Sequence, residues 1–108
     1  MKTLIESGTL VIFPEGDIDH HSVSRIRSEA DRLLLNTGVK NIAFDMSRTS
    51  FMDSAGIGMM LGRYRRVRAL GGKIFIRSAS PSVLRIIGLS GLGNIVNIEE
   101  DGYEQNEA

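Results

Sequence analysis

The pair Asp53-Ser54 sets a hydroxyl beside a carboxylate, inside the segment Phe51-Met52-Asp53-Ser54-Ala55-Gly56-Ile57. The segment follows a buried-looking strand and opens a helical pattern, so the serine falls at a helix N-terminus. Three chemistries suit that position: capping the helix, attacking a substrate, or receiving a phosphate. Attack requires a base and an oxyanion hole. The run Met52-Asp53-Ser54-Ala55-Gly56 has the second glycine of a nucleophile elbow and lacks the first, and the histidines, His20 and His21, lie in a different segment. These features argue against a serine hydrolase, and no catalytic residue is expected. As a cap, Ser54 or Asp53 would accept a hydrogen bond from a free helical N–H, stabilising by about 1 kcal/mol. As a phosphate acceptor, Ser54 would carry about −1.5 to −2 charges where free N–H groups and the helix dipole favour an anion. Capping and phosphate acceptance are compatible.

A second polar cluster, Glu15-Gly16-Asp17-Ile18-Asp19-His20-His21, lies between a strand and a helix. Its carboxylates and imidazoles invite a metal reading. Against it, acids are expected at a turn that leads into a helix, and adjacent histidines do not aim at one ion. Turn, cap or partner contact is the stronger reading, and neither a metal nor a cofactor is expected.

The elements that would position these clusters alternate. Thr3 to Glu6 and Thr9 to Pro14 are short, branched and apolar, and Ser7-Gly8 between them is hairpin chemistry. Val23, Ile26, Ala30, Leu33 and Leu34 recur at helical spacing and predict a helix from Ser22 to Asn36, stopped by Gly38. Asn41 to Asp45 reads as a strand, Ser54 to Leu70 as a helix ended by Gly71-Gly72, and Lys73 to Arg77 as a strand. Ser80-Pro81 pairs a cap with a first-turn proline and starts a helix that lasts to Leu89, and Ile95 to Ile98 is a last short strand. The pattern is α/β, a single domain with a mixed four- to five-stranded sheet and about four helices packed over it. Sites gather in loops beyond the C-terminal ends of parallel strands, and the loop from Met46 to Asp53 is one.

On the helix from Ser54, Val67, Met60, Tyr64, Ile57 and Leu61 share an arc of about 120°, the expected core face. Ser54, Gly58, Gly62 and Ala69 form a neighbouring stripe of small residues. Helical glycine costs about 0.5 to 1 kcal/mol relative to alanine, so the stripe calls for a compensation, either close packing on the domain's own sheet or a flat landing surface for a partner. Met59 and Leu70 fall opposite the core arc, flanked by Arg63 and Arg66, and are expected to be an exposed apolar patch ringed by arginines.

Composition narrows the classes. At 108 residues there is one core and no room for a substrate domain beside a catalytic one. The chain has no cysteine, which excludes disulfides and thiolate sites and fits a cytoplasmic protein. No apolar run approaches the roughly 18 residues of a membrane span, and no Gly-x-x-x-x-Gly-Lys phosphate loop occurs. Net charge is zero, yet five of the 13 acids lie in the last ten residues, leaving 8 acids against 13 bases in the body. The arginine run Arg63, Arg65, Arg66 and Arg68 reads as a solvated helix face rather than a nucleic-acid site. The domain is taken as residues 1–100, with 101–108 a flexible acidic tail.

Gly16-Asp17-Ile18-Asp19-His20-His21, then Phe51-Met52-Asp53-Ser54-Ala55-Gly56-Ile57-Gly58 and Leu61-Gly62-Arg63-Tyr64, resemble the bacterial anti-sigma factor antagonists of the STAS family, in the branch that controls sporulation sigma F. Gly71-Gly72, Ser80-Pro81 and Leu89-Ser90-Gly91-Leu92 extend the resemblance over nearly the whole chain. It implies a partner switch. The unphosphorylated antagonist binds an anti-sigma factor serine kinase and frees the sigma factor; phosphorylation at the serine matching Ser54 ends the complex, and a PP2C-type phosphatase restores it. Asp19, Asp53, Ser54, Gly58, Met59 and Arg63 are the partner-binding residues the resemblance implies, with no direct nucleic-acid or membrane contact and a monomer when free. The chain departs from the branch at Ala55, where a second serine is usual, and at Asp17, where glutamate is. The first departure leaves Ser54 as the acceptor in its segment. An interaction module in another stress-response switch, or a small-ligand-binding STAS domain, is the alternative.

Overall fold

The structure is a computed structural model and describes residues 1–99. Strand β1 (Lys2–Glu6) turns into β2 (Thr9–Phe13) through Ser7 and Gly8, both at positive φ, as a two-residue hairpin requires. Then follow α1 (Val23–Thr37), β3 (Asn41–Asp45), α2 (Ser54–Ala69), β4 (Ile74–Arg77), α3 (Pro81–Ser90), a 3-10 turn at Leu92–Asn94, and β5 (Asn97–Glu99). The strand order in the sheet is β1-β2-β3-β4-β5, with β1 antiparallel and the other neighbours parallel.

Each helix links adjacent parallel strands, and right-handed crossovers that advance in one direction stack their helices on one face. Accordingly α1 packs against α2 and α2 against α3. Alternate strand residues Leu10, Ile12, Ile42, Phe44, Ile74 and Ile76 meet Ile26, Ala30, Met60, Val67, Val83 and Ile87 from the helices in one core. On the opposite face Arg77 pairs with Glu99 at 2.7 Å and with Glu6 at 3.7 Å.

The expected mixed α/β sheet is present with five strands. The expected count of about four helices is corrected to three α-helices among the described residues. Leu92, 3% exposed, is tucked into the core by a single 3-10 turn after Gly91, whose positive φ ends α3, and no further α-helix forms there. Ser80 caps α3 as expected, its Oγ accepting from Val83 N at 3.3 Å. The acidic tail expected at 101–108 lies outside the described residues.

Candidate functional site

Two loops at the C-terminal ends of β2 and β3 are joined by backbone pairing. Ile18 N donates to Phe51 O at 2.9 Å and Asp53 N to Ile18 O at 3.0 Å, a parallel bridge between Ile18 and Met52. Gly16 N donates to Arg48 O at 3.0 Å, and the buried Thr49 hydroxyl donates to Pro14 O at 3.0 Å. Arg48 and Glu15 add an ion pair at 3.0 Å. Asp19 and Asp53 each follow a bridge residue, so the pairing draws the two polar clusters of the sequence into one site.

Asp53 is the cap of α2. Its backbone is extended, at φ −104° and ψ −171°, and its Oδ1 accepts from Ala55 N at 2.8 Å and Gly56 N at 3.4 Å. Ser54 is the first helical residue; its side chain is exposed and its hydroxyl has no hydrogen-bond partner among the described residues. The choice between the two as cap is thus resolved for Asp53, which leaves the serine oxygen free for other chemistry. The helix start is held down by Gly56. A Cβ there would collide with Met52 Cγ and lie 2.8 Å from Met52 Sδ and 2.9 Å from Ile18 Cγ2.

Asp19 organises the other loop. Its Oδ1 accepts from His21 N at 2.9 Å and Ser22 N at 3.2 Å, and Ser22 Oγ donates to Asp17 O at 3.0 Å. The hydrogen bond from the His21 amide holds the Asp19 carboxyl below its usual value, aided by the Ser22 amide and opposed by desolvation. Asp17 accepts from Ser50 Oγ at 3.3 Å. Asp19 thus acts as a turn group, while Asp17 and Glu15 tie this loop to the loop before α2. His20 Nδ1 lies 4.0 Å from Asp53 Oδ2, its ring 3.9 Å from that of His21 between centroids.

Of the remaining expected partner residues, Gly58 is exposed one turn along from Ser54, and nothing lies within 4 Å of a Cβ built on Gly58 or Gly62. Close packing of the domain's own sheet against these two glycines is therefore ruled out. The expected exposure of Met59 and Arg63 is corrected. They are 4% and 5% exposed, within the core, so neither belongs to an exposed patch; Leu70 does remain exposed at the far end of the helix. The buried face of α2 is Gly56, Met59, Met60, Arg63 and Val67, turned from the expected arc so that Ile57, Leu61 and Tyr64 are only partly covered. Asp31 of α1 makes this possible, lying 3.0 Å from Arg63 Nε and 3.5 Å from Arg66 Nε. Burial pushes the Arg63 guanidinium below its ordinary range, the Asp31 charge opposing and the Arg66 and Arg27 charges adding. The Nε contact is off hydrogen-bond alignment and Nη1 has no partner among the described residues, so charge rather than directed bonding holds the pair.

Sequence reasoning missed Ile18, Gly56 and the pairing of His20 with Asp53. Ile18 is fully buried between two charged residues, and that interruption of the acidic run was its one available signal.

The STAS domain family model matches residues 1–104. The anti-sigma F factor antagonist of Lysinibacillus sphaericus is 34% identical over 90 residues, 83% of this chain and 77% of the relative. The chain belongs to the STAS domain family, among its anti-sigma factor antagonists. Two solved structures of SpoIIAA bear on the switch. The unphosphorylated anti-sigma factor antagonist has a TM-score of 0.75 at 28% identity, covering 96% of this STAS domain and 91% of SpoIIAA. The phosphorylated Bacillus protein has a TM-score of 0.72 at 30% identity, covering 98% and 96%. Among the described residues, no helix is long and apolar enough to cross a membrane, and no group of three or more His, Asp or Glu could hold a metal ion.

Proposed function

We propose that this STAS domain is an anti-sigma factor antagonist switched by phosphorylation of Ser54. The observation that carries it is the Ser54 hydroxyl, exposed and unbonded at the head of a helix whose cap is supplied by its neighbour. Asp19, Asp53, Ser54 and Gly58 form the surface that meets the anti-sigma factor, itself a serine kinase. Gly58 and Gly62 leave that face flat, so a partner can approach the helix backbone. A phosphoryl group on Ser54 then puts a dianion, beside the Asp53 carboxylate, into a contact matched to a neutral hydroxyl. Release frees the kinase to hold its sigma factor, the sporulation sigma F by resemblance, and a PP2C-type phosphatase resets the cycle in the cytoplasm. The antagonist acts as a monomer when free and performs no catalysis of its own.

The phosphate acts at the interface and not on the fold. SpoIIAA in its two forms matches this chain with similar TM-scores, which supports that reading. Incubation with the cognate anti-sigma kinase and ATP, followed by mass mapping and size-exclusion chromatography, tests it. Wild type gains one phosphate on Ser54 and leaves the complex. Ser54→Ala stays bound and unlabelled, with stability within about 0.5 kcal/mol of wild type, and Ser54→Asp binds weakly. Equal labelling of Ser54→Ala and wild type would falsify the assignment.

A further inference from the structure

A phosphate on Ser54 meets a helix start whose donors are already used. Ala55 N and Gly56 N donate to the Asp53 carboxylate, and Gly56 N and Ile57 N also donate to Asp53 O. The dianion would sit beside Asp53, with Asp19 across the Ile18–Met52 bridge, so it arrives in a negative field with few free N–H groups. A cation close by would offset that field.

The two loops carry three candidates, Arg48, His20 and His21. Arg48 is committed to Glu15 at 3.0 Å. His20 Nδ1 approaches Asp53 Oδ2 only to 4.0 Å, and the His20 side chain is 72% exposed, so its imidazole is free to turn. Its backbone is not free, because the Asp19 carboxylate ties the amides of His21 and Ser22. The ring therefore pivots from a fixed point beside the residue that precedes Ser54. Charged and titratable groups facing it are Asp53 from the cap of α2, and Asp19 and His21 from its own loop.

We propose that the protonated His20 imidazole is the cationic partner of a phosphate carried on Ser54, moving to it from the Asp53 carboxylate. This rests on Ser54 as the phosphorylated residue and adds the group that reads the modification within the chain itself. His20 partly neutralises the site while favouring the dianionic phosphate, so the released state keeps its full phosphate charge in mildly acidic conditions. It is a positioning residue for the phosphate; no bond is made or broken by it.

The test uses the full chain with phosphoserine installed at position 54 by genetic encoding, so it does not depend on any kinase. The probe is the phosphorus NMR signal of that phosphoserine against pH. A neighbouring cation lowers the midpoint of the second phosphate ionisation, so His20→Gln raises it by roughly half a pH unit or more relative to the unmutated phosphoprotein. His21→Gln leaves it near wild type, and His20→Lys returns it toward wild type, which loss of structure alone would not do. Equal midpoints in wild type and His20→Gln, or a His20→Lys value as high as that of His20→Gln, would overturn the proposal. Should His20→Gln perturb the fold, nuclear Overhauser contacts between the His20 ring and the phosphoserine methylene in the unmutated phosphoprotein decide instead: their presence supports the pairing and their absence sinks it. A kinase that labels a residue other than Ser54 would defeat the preceding reading while leaving this measurement unchanged.

Discussion

The two faces of α2 use the same residue type for opposite ends. On the inner face Gly56 is glycine because Met52 and Ile18 occupy the space a Cβ would need. On the outer face Gly58 and Gly62 meet nothing among the described residues, so the packing described there has no use for their lack of a side chain. Charge is divided in the same way. Arg63 on the inner face is locked by Asp31, while Ser54 on the outer face is bonded to nothing among the described residues. Groups that hold the domain together are thereby separated from groups that a partner or a kinase can reach. A chemical change on the outer face can alter binding without passing through the core.

Substitutions that blur this division test it, and the largest loss is expected on the inner face. Arg63→Ala leaves the Asp31 carboxylate half-covered with only Arg66 at 3.5 Å. Unfolding in urea should show a loss of about 3 kcal/mol. Replacing both members, Arg63→Met with Asp31→Leu, should recover most of it, because an apolar pair of similar volume costs no desolvation. A double variant as weak as the single one would mean that the ion pair itself, rather than the stranded carboxylate, sets the cost.

Gly56→Ala should follow, destabilising by about 2 kcal/mol as the Ile18–Met52 bridge is pushed away, despite the better helix propensity of alanine. The same change on the outer face has the opposite sign. Gly58→Ala should stabilise the domain by about 0.5 to 1 kcal/mol, while Gly58→Leu keeps the fold and weakens the proposed complex with the anti-sigma factor by about tenfold or more. Equal destabilisation by Gly56→Ala and Gly58→Ala would erase the distinction between the faces. Between these lies Asp53→Ala, expected to cost about 1 kcal/mol for the lost cap.

Local signals were readable where one residue decides a backbone angle or a cap. Ser7-Gly8, Gly38 and Ser80-Pro81 place their turn, stop and start within a residue of the structure, since positive φ and cap bonds are short-range demands. The start of α2 at Asp53-Ser54 was readable for the same reason. The orientation of α2 could not. Its residues are glycine, methionine, isoleucine and leucine on most sides, so periodicity alone favoured the bulky Ile57, Leu61 and Tyr64 and gave Gly56 no weight. Arg63 counted as surface because its partner, Asp31, is on another helix. The Ile18–Met52 bridge left no trace either, as backbone pairing between two loops has no side-chain period.

The smallest expected effect concerns the loop that borders the open face. Asp19 titrates below its ordinary value of 3.8 because its carboxylate accepts the His21 and Ser22 amides. A depressed carboxylate pKa stabilises the folded state fully above the unfolded value and loses that contribution as pH falls through the folded one. The loop before α1 should therefore loosen below about pH 4, ahead of Met60 and Val67, which are fully buried in the apolar core. Amide hydrogen exchange between pH 5 and pH 3, corrected for intrinsic rates, should show His21 and Ser22 losing protection while Met60 and Val67 keep theirs. Asp19→Asn, which cannot ionise, should remove the acid dependence at His21 and Ser22. If the two regions instead lost protection together, the loop would be no more separable from the core than Arg63 is.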